Sequence, residues 1–398
     1  MRVTMLLRCV AMMRGGGETR HLAWVKALGE LGVEVDVIAG RPMFGHMRHP
    51  LEGAATIIRS PYARDAVYRW QGRRGFGRLS VAALHADEEL FCRAAWRHIV
   101  RRRRLPDIVH AHALHQMARL GRRDIPVVIN LPGPPGPRYL ADLRLADALV
   151  SDGWGAEKLP AIIGCPVDHV TKGVDSAMFT PGGPDRRAEL GLDGKRVVIT
   201  VSRLVPIKNV ALLVDAFARA RQTLPDLHLI VVGEGPERAQ LEAQSAALGL
   251  GDAITFTGYV PQAETPPWYR SGDVFALPSD FDNSPNVVLE AMATGLPIVA
   301  TDVGGLRHFV TPGRNGELVP KRDAAAMADA LVALMRAIPH ARAIGAANRD
   351  EVVSRFSWSA SARQLRDVYQ RVLSSRERRS ATARSVSPAS AARLACLV

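Results

Sequence analysis

Short β-branched runs alternate with amphipathic stretches along most of the chain, the pattern of a parallel α/β protein. In the first half the apolar runs predict strands over Arg2–Cys9, Val33–Ala39, Ile108–Ala111, Val127–Asn130 and Ala148–Ser151. Between them the helical spacing predicts helices over Glu18–Leu31, Leu79–Arg103 and Ala113–Gly121. GVDSAMFTPGGPD, Gly173 to Asp185, interrupts the rhythm with Gly and Pro and reads as an interdomain linker. The rhythm then restarts, with strands expected at Arg196–Val201, Leu227–Val232, Ile254–Phe256, Val274–Leu277 and Ile298–Ala300. Helices are expected at Val210–Arg221, Glu237–Leu248, Val287–Thr294, Ala324–Ala337, Ala341–Phe356 and Trp358–Leu373.

A chain of 398 residues exceeds what one core usually holds. The expectation is therefore α/β, two doubly wound Rossmann-like domains facing each other, with a ligand cleft between their strand C-termini. The boundaries read as 1–176 and 177–357, then a helix over 358–373. From Ser374 to the end Ser, Ala and Arg dominate, a composition too poor in large apolar residues to offset its ordering entropy, so disorder is expected over 374–398.

Composition changes this picture little: 47% hydrophobic and 23% charged is ordinary globular material. Four Cys without a CxxC point to a reduced, cytoplasmic protein. No apolar run is long enough for a span, and the N-terminus lacks a signal-peptide pattern. Charge adds something. The formal net charge is +13, and between Arg59 and Arg104 stand 12 arginines against four acids. Such a region attracts anionic lipid, acidic substrates or nucleic acid without specifying any chemistry. A single-strand nucleic-acid surface would interleave aromatics with the basic residues, but aromatics are only 6% and form no such stripe.

Three stretches carry candidate chemistry. RGGGETRHL, Arg14 to Leu22, places a glycine cluster between a strand and a helix, where backbone N–H groups could approach an anion. It is not a GxGxxG fingerprint, and no suitably placed acid ends the second strand. SRLVPIKN, Ser202 to Asn209, follows a strand and sets Arg203 and Lys208 at its end, two cations suited to a diphosphate. DFDNSPNVVLEAMATG, Asp280 to Gly295, has Asp282 in a loop and Glu290 one turn into an apolar helix whose first amides are Asn286 and Val287. A carboxylate in such a helix needs a partner, and a ribose diol would supply two donors.

Together these motifs resemble the retaining nucleotide-sugar glycosyltransferases of the GT-B fold, the large family four. The resemblance also covers VVGEGPERAQLE, ITFTGYVPQAETPPWYRSGDVFALPS, PNVVLEAMATGLPIVATDVGG, GGGETRHLAWVKALGELGVEVDVI, PDIVHAHALH and KGVDSAMFTPG. It implies an acceptor domain followed by a donor domain, with the last helix crossing back to the first. It implies that Arg203 and Lys208 neutralise the donor diphosphate, that Glu290 holds the ribose and that Asp282 contacts the sugar. Gly16 and Gly17 match the loop near the donor phosphate and the acceptor, His112 a histidine reaching the sugar, and Tyr259 and Val260 the turn meeting the base. His110 and His115 are expected to be structural. Asp282 is one methylene shorter than the family's usual Glu, and NSP replaces the GFG that usually follows. Both departures bear on the donor sugar.

The implied reaction is hexosyl transfer from a UDP- or GDP-sugar to a hydroxyl acceptor, with retained anomeric configuration and no metal or other cofactor. A lipid-linked or envelope-polysaccharide acceptor would suit a basic first domain held peripherally on an anionic membrane through Arg59–Arg104; nucleic acid is not an expected partner. Rival readings are an epimerase or hydrolase of the same fold, which needs no acceptor, and a non-catalytic nucleotide-sugar sensor, which shows no turnover.

Overall fold

The computed structural model describes residues 1–8, 16–42, 53, 55–60, 77–121 and 124–385. The chain divides into two compact units, one of Met1–Ser151, Ala156–Val170 and Ala362–Val398, the other of Asp152–Gly155 and Thr171–Ser361. Arg14 and Gly15 of the glycine motif, residues 61–76 of the basic region and residues 386–398 of the tail lie outside the described residues.

The first unit is built on a parallel sheet of seven strands: β1 (Arg2–Leu7), β2 (Glu34–Pro42), β3 (Thr56–Ser60), β4 (Ile108–His112), β5 (Val127–Asn130), β6 (Ala148–Ser151) and β7 (Asp168–His169), in the order β3-β2-β1-β4-β5-β6-β7. The second holds six: β8 (Arg196–Val201), β9 (Leu227–Val232), β10 (Ile254–Gly258), β11 (Val274–Leu277), β12 (Ile298–Thr301) and β13 (Gly316–Val319), in the order β10-β9-β8-β11-β12-β13. Every pairing between these strands is parallel. This is the doubly wound architecture that the apolar rhythm predicts.

Alternation along the strands of the second unit feeds two cores. Val198, Leu229, Val231 and Val299 pack with the Val210–Thr223 and Ala324–Arg336 helices. Val197, Ile199, Ile230 and Ile298 point the other way, toward the Asn286–Ala293 helix and Phe356. A parallel strand covered on both faces must be apolar throughout, which is why RVVITV and LHLIVV carry so few polar positions. In each sheet the chain winds outward in both directions from one strand, β1 or β8. The crevice where the order reverses, β1/β4 or β8/β11, is where such a sheet receives ligands.

Some expectations are corrected. The strands β3, β7 and β13 and the Gly153–Ile163 helix are absent from the sequence reading. β7 is two residues long and β13 pairs along β12 with only two strongly apolar residues, so neighbours decide them. The Gly153–Ile163 helix contains Pro160, which argues against a helix when read alone. The helix expected over Ala113–Gly121 shrinks to Met117–Leu120, because Ala113 adopts a left-handed backbone with φ of 49°. Gly173–Asp185 is folded into the second unit: Phe179 is buried, and its carbonyl accepts a 2.5 Å hydrogen bond from Arg349.

The last helix runs from Trp358 to Ser385, past the expected end at Leu373 and into the stretch read as disordered. From Ala362 it belongs to the first unit. Tyr369 is buried there with its hydroxyl 2.7 Å from His110 Nδ1, Arg371 pairs with Asp168, and Arg376 meets Asp147 at 2.9 Å. These contacts and the helix-forming tendency of Ala and Arg offset the lack of large apolar residues.

Candidate active site

The exit of β8 is shaped by the loop that follows β9. Leu204 N–H donates to Glu234 O at 3.0 Å, and Glu237 N–H donates back to Leu204 O at 3.1 Å. A Cβ on Gly233 would lie 1.8 Å from Ser202 O, and one on Gly235 2.2 Å from Leu204 O. Only glycine allows these two backbones to approach so closely. Arg203 is exposed on this exit and forms no ion pair among the described residues.

The chain then turns through Pro206–Lys208 into Asn209, which is left-handed with φ of 48°. Two bonds stitch this turn to the exit of β11: Asp280 N–H donates to Ile207 O at 2.8 Å, and Asn209 Nδ2 to Asp280 Oδ1 at 3.2 Å. Arg322 grips the same Asp280 carboxylate and holds its pKa below the usual range. Lys208 is thereby delivered to Asp282, and the two form an ion pair with side chains only 15% and 16% exposed. Ser279 Oγ donates to the same oxygen of Asp282 at 3.3 Å.

The Asp282 loop is clamped from several sides. Asp282 O accepts from Gly305 N–H at 2.9 Å, and a Cβ on Gly304 would lie 1.7 Å from that carbonyl oxygen. Asn283 Oδ1 accepts from Gly155 N–H at 2.9 Å, while its Nδ2 donates to Asp152 Oδ1 at 3.0 Å. Lys172 donates to Ser284 O, and Phe281 meets Trp154 edge-on at 5.6 Å. The NSP stretch thus ties the loop to Asp152–Gly155 of the same unit.

Two residues on, the Asn286–Ala293 helix starts at Asn286 and Val287 with no side-chain cap, since Pro285 precedes it. Glu290 is buried in this helix. Its Oε2 accepts from Tyr269 Oη at 2.8 Å and its Oε1 from Gln262 Nε2 at 2.7 Å. Burial pushes the Glu290 carboxyl up in pKa, opposed by these two donors and by the Lys172 charge. Tyr259 is exposed and Val260 packs on the core below, in the turn after Gly258, whose carbonyl accepts from Gly233 N–H at 3.0 Å.

In the first unit, Gly16 and Gly17 open the Gly16–Glu30 helix after β1, and that helix carries His21 and Trp24. His112 ends β4, its Nδ1 2.9 Å from Asn130 Oδ1 and its ring 4.1 Å from the His21 ring. His110, two residues back, is fully buried against Tyr369. Burial above all, helped by His112 and Arg20, brings its pKa down to about 3, so the imidazole is neutral. His115 stacks on Tyr139 at 4.4 Å beside buried Glu88.

Residues 195–337, most of the second unit, match the family model described as "Glycosyl transferases group 1". The chain is 40% identical over 220 residues to a D-inositol 3-phosphate glycosyltransferase of Frankia alni, covering 52% of this chain and 54% of that one. Over this stretch the chain is similar to the group 1 glycosyltransferases. Another relative is a GDP-mannose-dependent alpha-(1-6)-phosphatidylinositol monomannoside mannosyltransferase of Mycolicibacterium smegmatis, 33% identical over 213 residues, 51% of this chain and 56% of that one. The chain spans about half the length of these curated relatives. In fold, the chain matches a sucrose-phosphate synthase of Thermosynechococcus elongatus with a TM-score of 0.76 at 21% identity, over 94% of this chain and 99% of that one. The architecture is GT-B.

Four residues around the glycosyltransferase motifs escape sequence reasoning: Tyr269, Gln262, Asn283 and His21. Tyr269 and Gln262 lie 21 and 28 positions from Glu290, and Asn283 lies 131 from Asp152. The need of a buried carboxylate for donors was legible. Which donors supply it depends on how β10, β11 and the following helix pack.

Proposed function

We propose that this protein is a glycosyltransferase that moves a hexose from a nucleotide diphosphate sugar to an acceptor hydroxyl with retention of anomeric configuration. The observation that carries the reading is the Lys208–Asp282 pair at the ends of neighbouring strands β8 and β11, next in the chain to an uncapped helix start and a buried carboxylate. Lys208 and exposed Arg203 would take the diphosphate, with the Asn286 and Val287 amides completing its hydrogen bonds. Glu290 would receive the ribose, Tyr259 and Val260 the base, and Asp282 and His112 would orient the sugar. Gly16 and Gly17 would line the phosphate and acceptor side.

In the proposed step the bond between the anomeric carbon and the phosphate oxygen breaks while the acceptor oxygen bonds on the same face. The acceptor's proton passes to the departing phosphate. Fixed positive charge around that phosphate lowers the barrier as negative charge builds. Binding donor phosphate must also loosen the Lys208–Asp282 pair, which frees the Asp282 carboxylate for the sugar hydroxyls.

The acceptor we infer is a hydroxyl of an inositol-phosphate headgroup, free or in a lipid, in keeping with the relatives' names. Among the described residues no single helix is long and apolar enough to cross a membrane. Arg97, Arg101, Arg103 and Arg104 are exposed, whereas Arg102 turns inward to Asp36 at 2.6 Å. Exposed arginines beside a lipid-linked acceptor would hold the enzyme on an anionic leaflet.

Incubation of the purified chain with UDP- and GDP-sugars, with inositol phosphate or phosphatidylinositol, tests the reading. Acceptor-dependent nucleotide release with a product heavier by one hexose is expected. Equal release without acceptor would identify a hydrolase instead.

A further inference from the structure

The two oxygens of Glu290 are served by donors of different character. Tyr269 is fully buried, its ring packed against Phe179 at 5.7 Å and Phe275 at 5.9 Å. Burial and the neighbouring carboxylate keep its phenol protonated, so it donates to Oε2 and cannot leave without opening the core. Gln262 sits on the three-residue turn Gln262–Glu264, which is exposed throughout, and reaches inward with Nε2 to Oε1. A long exposed side chain loses rotamer freedom in doing so. The compensation is that a buried carboxylate oxygen is costly without a donor.

We propose that Gln262 is a displaceable stand-in for the ribose hydroxyls. The nucleotide exchanges the Gln262 amide for its own diol on Oε1, while Tyr269 holds Oε2 fixed. This rests on the reading that Glu290 receives the ribose. The exchange replaces one hydrogen bond to the carboxylate by another. A nucleotide lacking the hydroxyls leaves Gln262 in place and forfeits little. The wild-type chain should therefore distinguish ribose from dideoxyribose only weakly. Without Gln262 the hydroxyls become the main donors available to Oε1, and the distinction sharpens.

The test is calorimetric titration of wild type, Gln262→Ala and Glu290→Gln with UDP, GDP and their 2′,3′-dideoxy counterparts, with melting temperatures measured in parallel. In Gln262→Ala the ratio of dideoxy to ribo Kd should rise about tenfold, as for a hydrogen bond to a charged group, with ribonucleotide affinity equal or tighter. A merely structural Gln262 would shift the melting temperature and leave that ratio unchanged, which overturns the proposal. Weaker ribonucleotide binding by Gln262→Ala also overturns it, since Gln262 would then be a ligand contact. If Glu290→Gln added to Gln262→Ala, titrated in the same way, keeps the raised ratio, the parent assignment of Glu290 falls and the exchange falls with it.

Discussion

Glu290 keeps both oxygens hydrogen-bonded yet remains a carboxylate inside an apolar helix. Because burial raises its folded pKa, the native state binds the proton more tightly than the unfolded chain does. Ionised Glu290 therefore costs stability above its folded pKa, and the cost fades as pH falls through that value toward the unfolded range of about 4.3. Glu290→Gln keeps an acceptor for Tyr269. It should raise the melting temperature near pH 8 by roughly 2–4 °C for each kcal/mol recovered and lose that gain near pH 4. Melts across this range check it, and a pH-independent gain would contradict the linkage. In the proposed step Lys208 serves charge rather than packing. Lys208→Ala should lower kcat/KM for transfer by about a hundredfold or more, the scale of losing a preorganised electrostatic contact, while Asp282→Glu retains much of the activity. A steady-state assay with each variant decides this, and wild-type turnover by Lys208→Ala would remove the diphosphate assignment.

The site is an arrangement of loops at the ends of strands, and its precision comes from backbone contacts that exclude side chains. Gly304 has φ of 57° and would place a Cβ 1.7 Å from Asp282 O. Gly304→Ala must therefore move the loop that holds Asp282 against Lys208. A loss of about 1–3 kcal/mol is expected, as for an overpacked site, together with a fall in kcat/KM, read by denaturant unfolding and the transfer assay. Alanine at Gly313, where nothing lies within 4 Å but φ is 76°, should cost only backbone strain and leave transfer rates near wild type. At this scale the strands of the second unit were legible because a doubly covered parallel strand is a continuous apolar run. The start of the Met117–Leu120 helix was not, since the left-handed turn at Ala113 lies beneath a helical-looking pattern.

Across the molecule, positive charge concentrates in the first unit, and the Arg101–Arg104 run exposes three of its four side chains. Replacing Arg101, Arg103 and Arg104 by Ser should weaken binding to phosphatidylinositol-rich vesicles on the order of a hundredfold at low salt, at about 1 kcal/mol per arginine. Sedimentation with neutral and anionic vesicles tests this, and equal binding to both would remove membrane docking from the reading. The last helix shows how far distant contacts override composition: Ser- and Ala-rich sequence stays helical to Ser385, with Arg371 and Arg376 meeting Asp168 and Asp147 more than 200 positions earlier. By itself the sequence determined two doubly wound α/β halves and the order of the glycosyltransferase motifs, because hydrophobic period and turn chemistry are local properties. Only the tertiary structure decided which donors serve Glu290, that Lys208 pairs with Asp282, and that NSP anchors to Asp152–Gly155. Those pairs lie 21 to 131 positions apart, and only packing of the elements between them brings such residues within a hydrogen bond's reach.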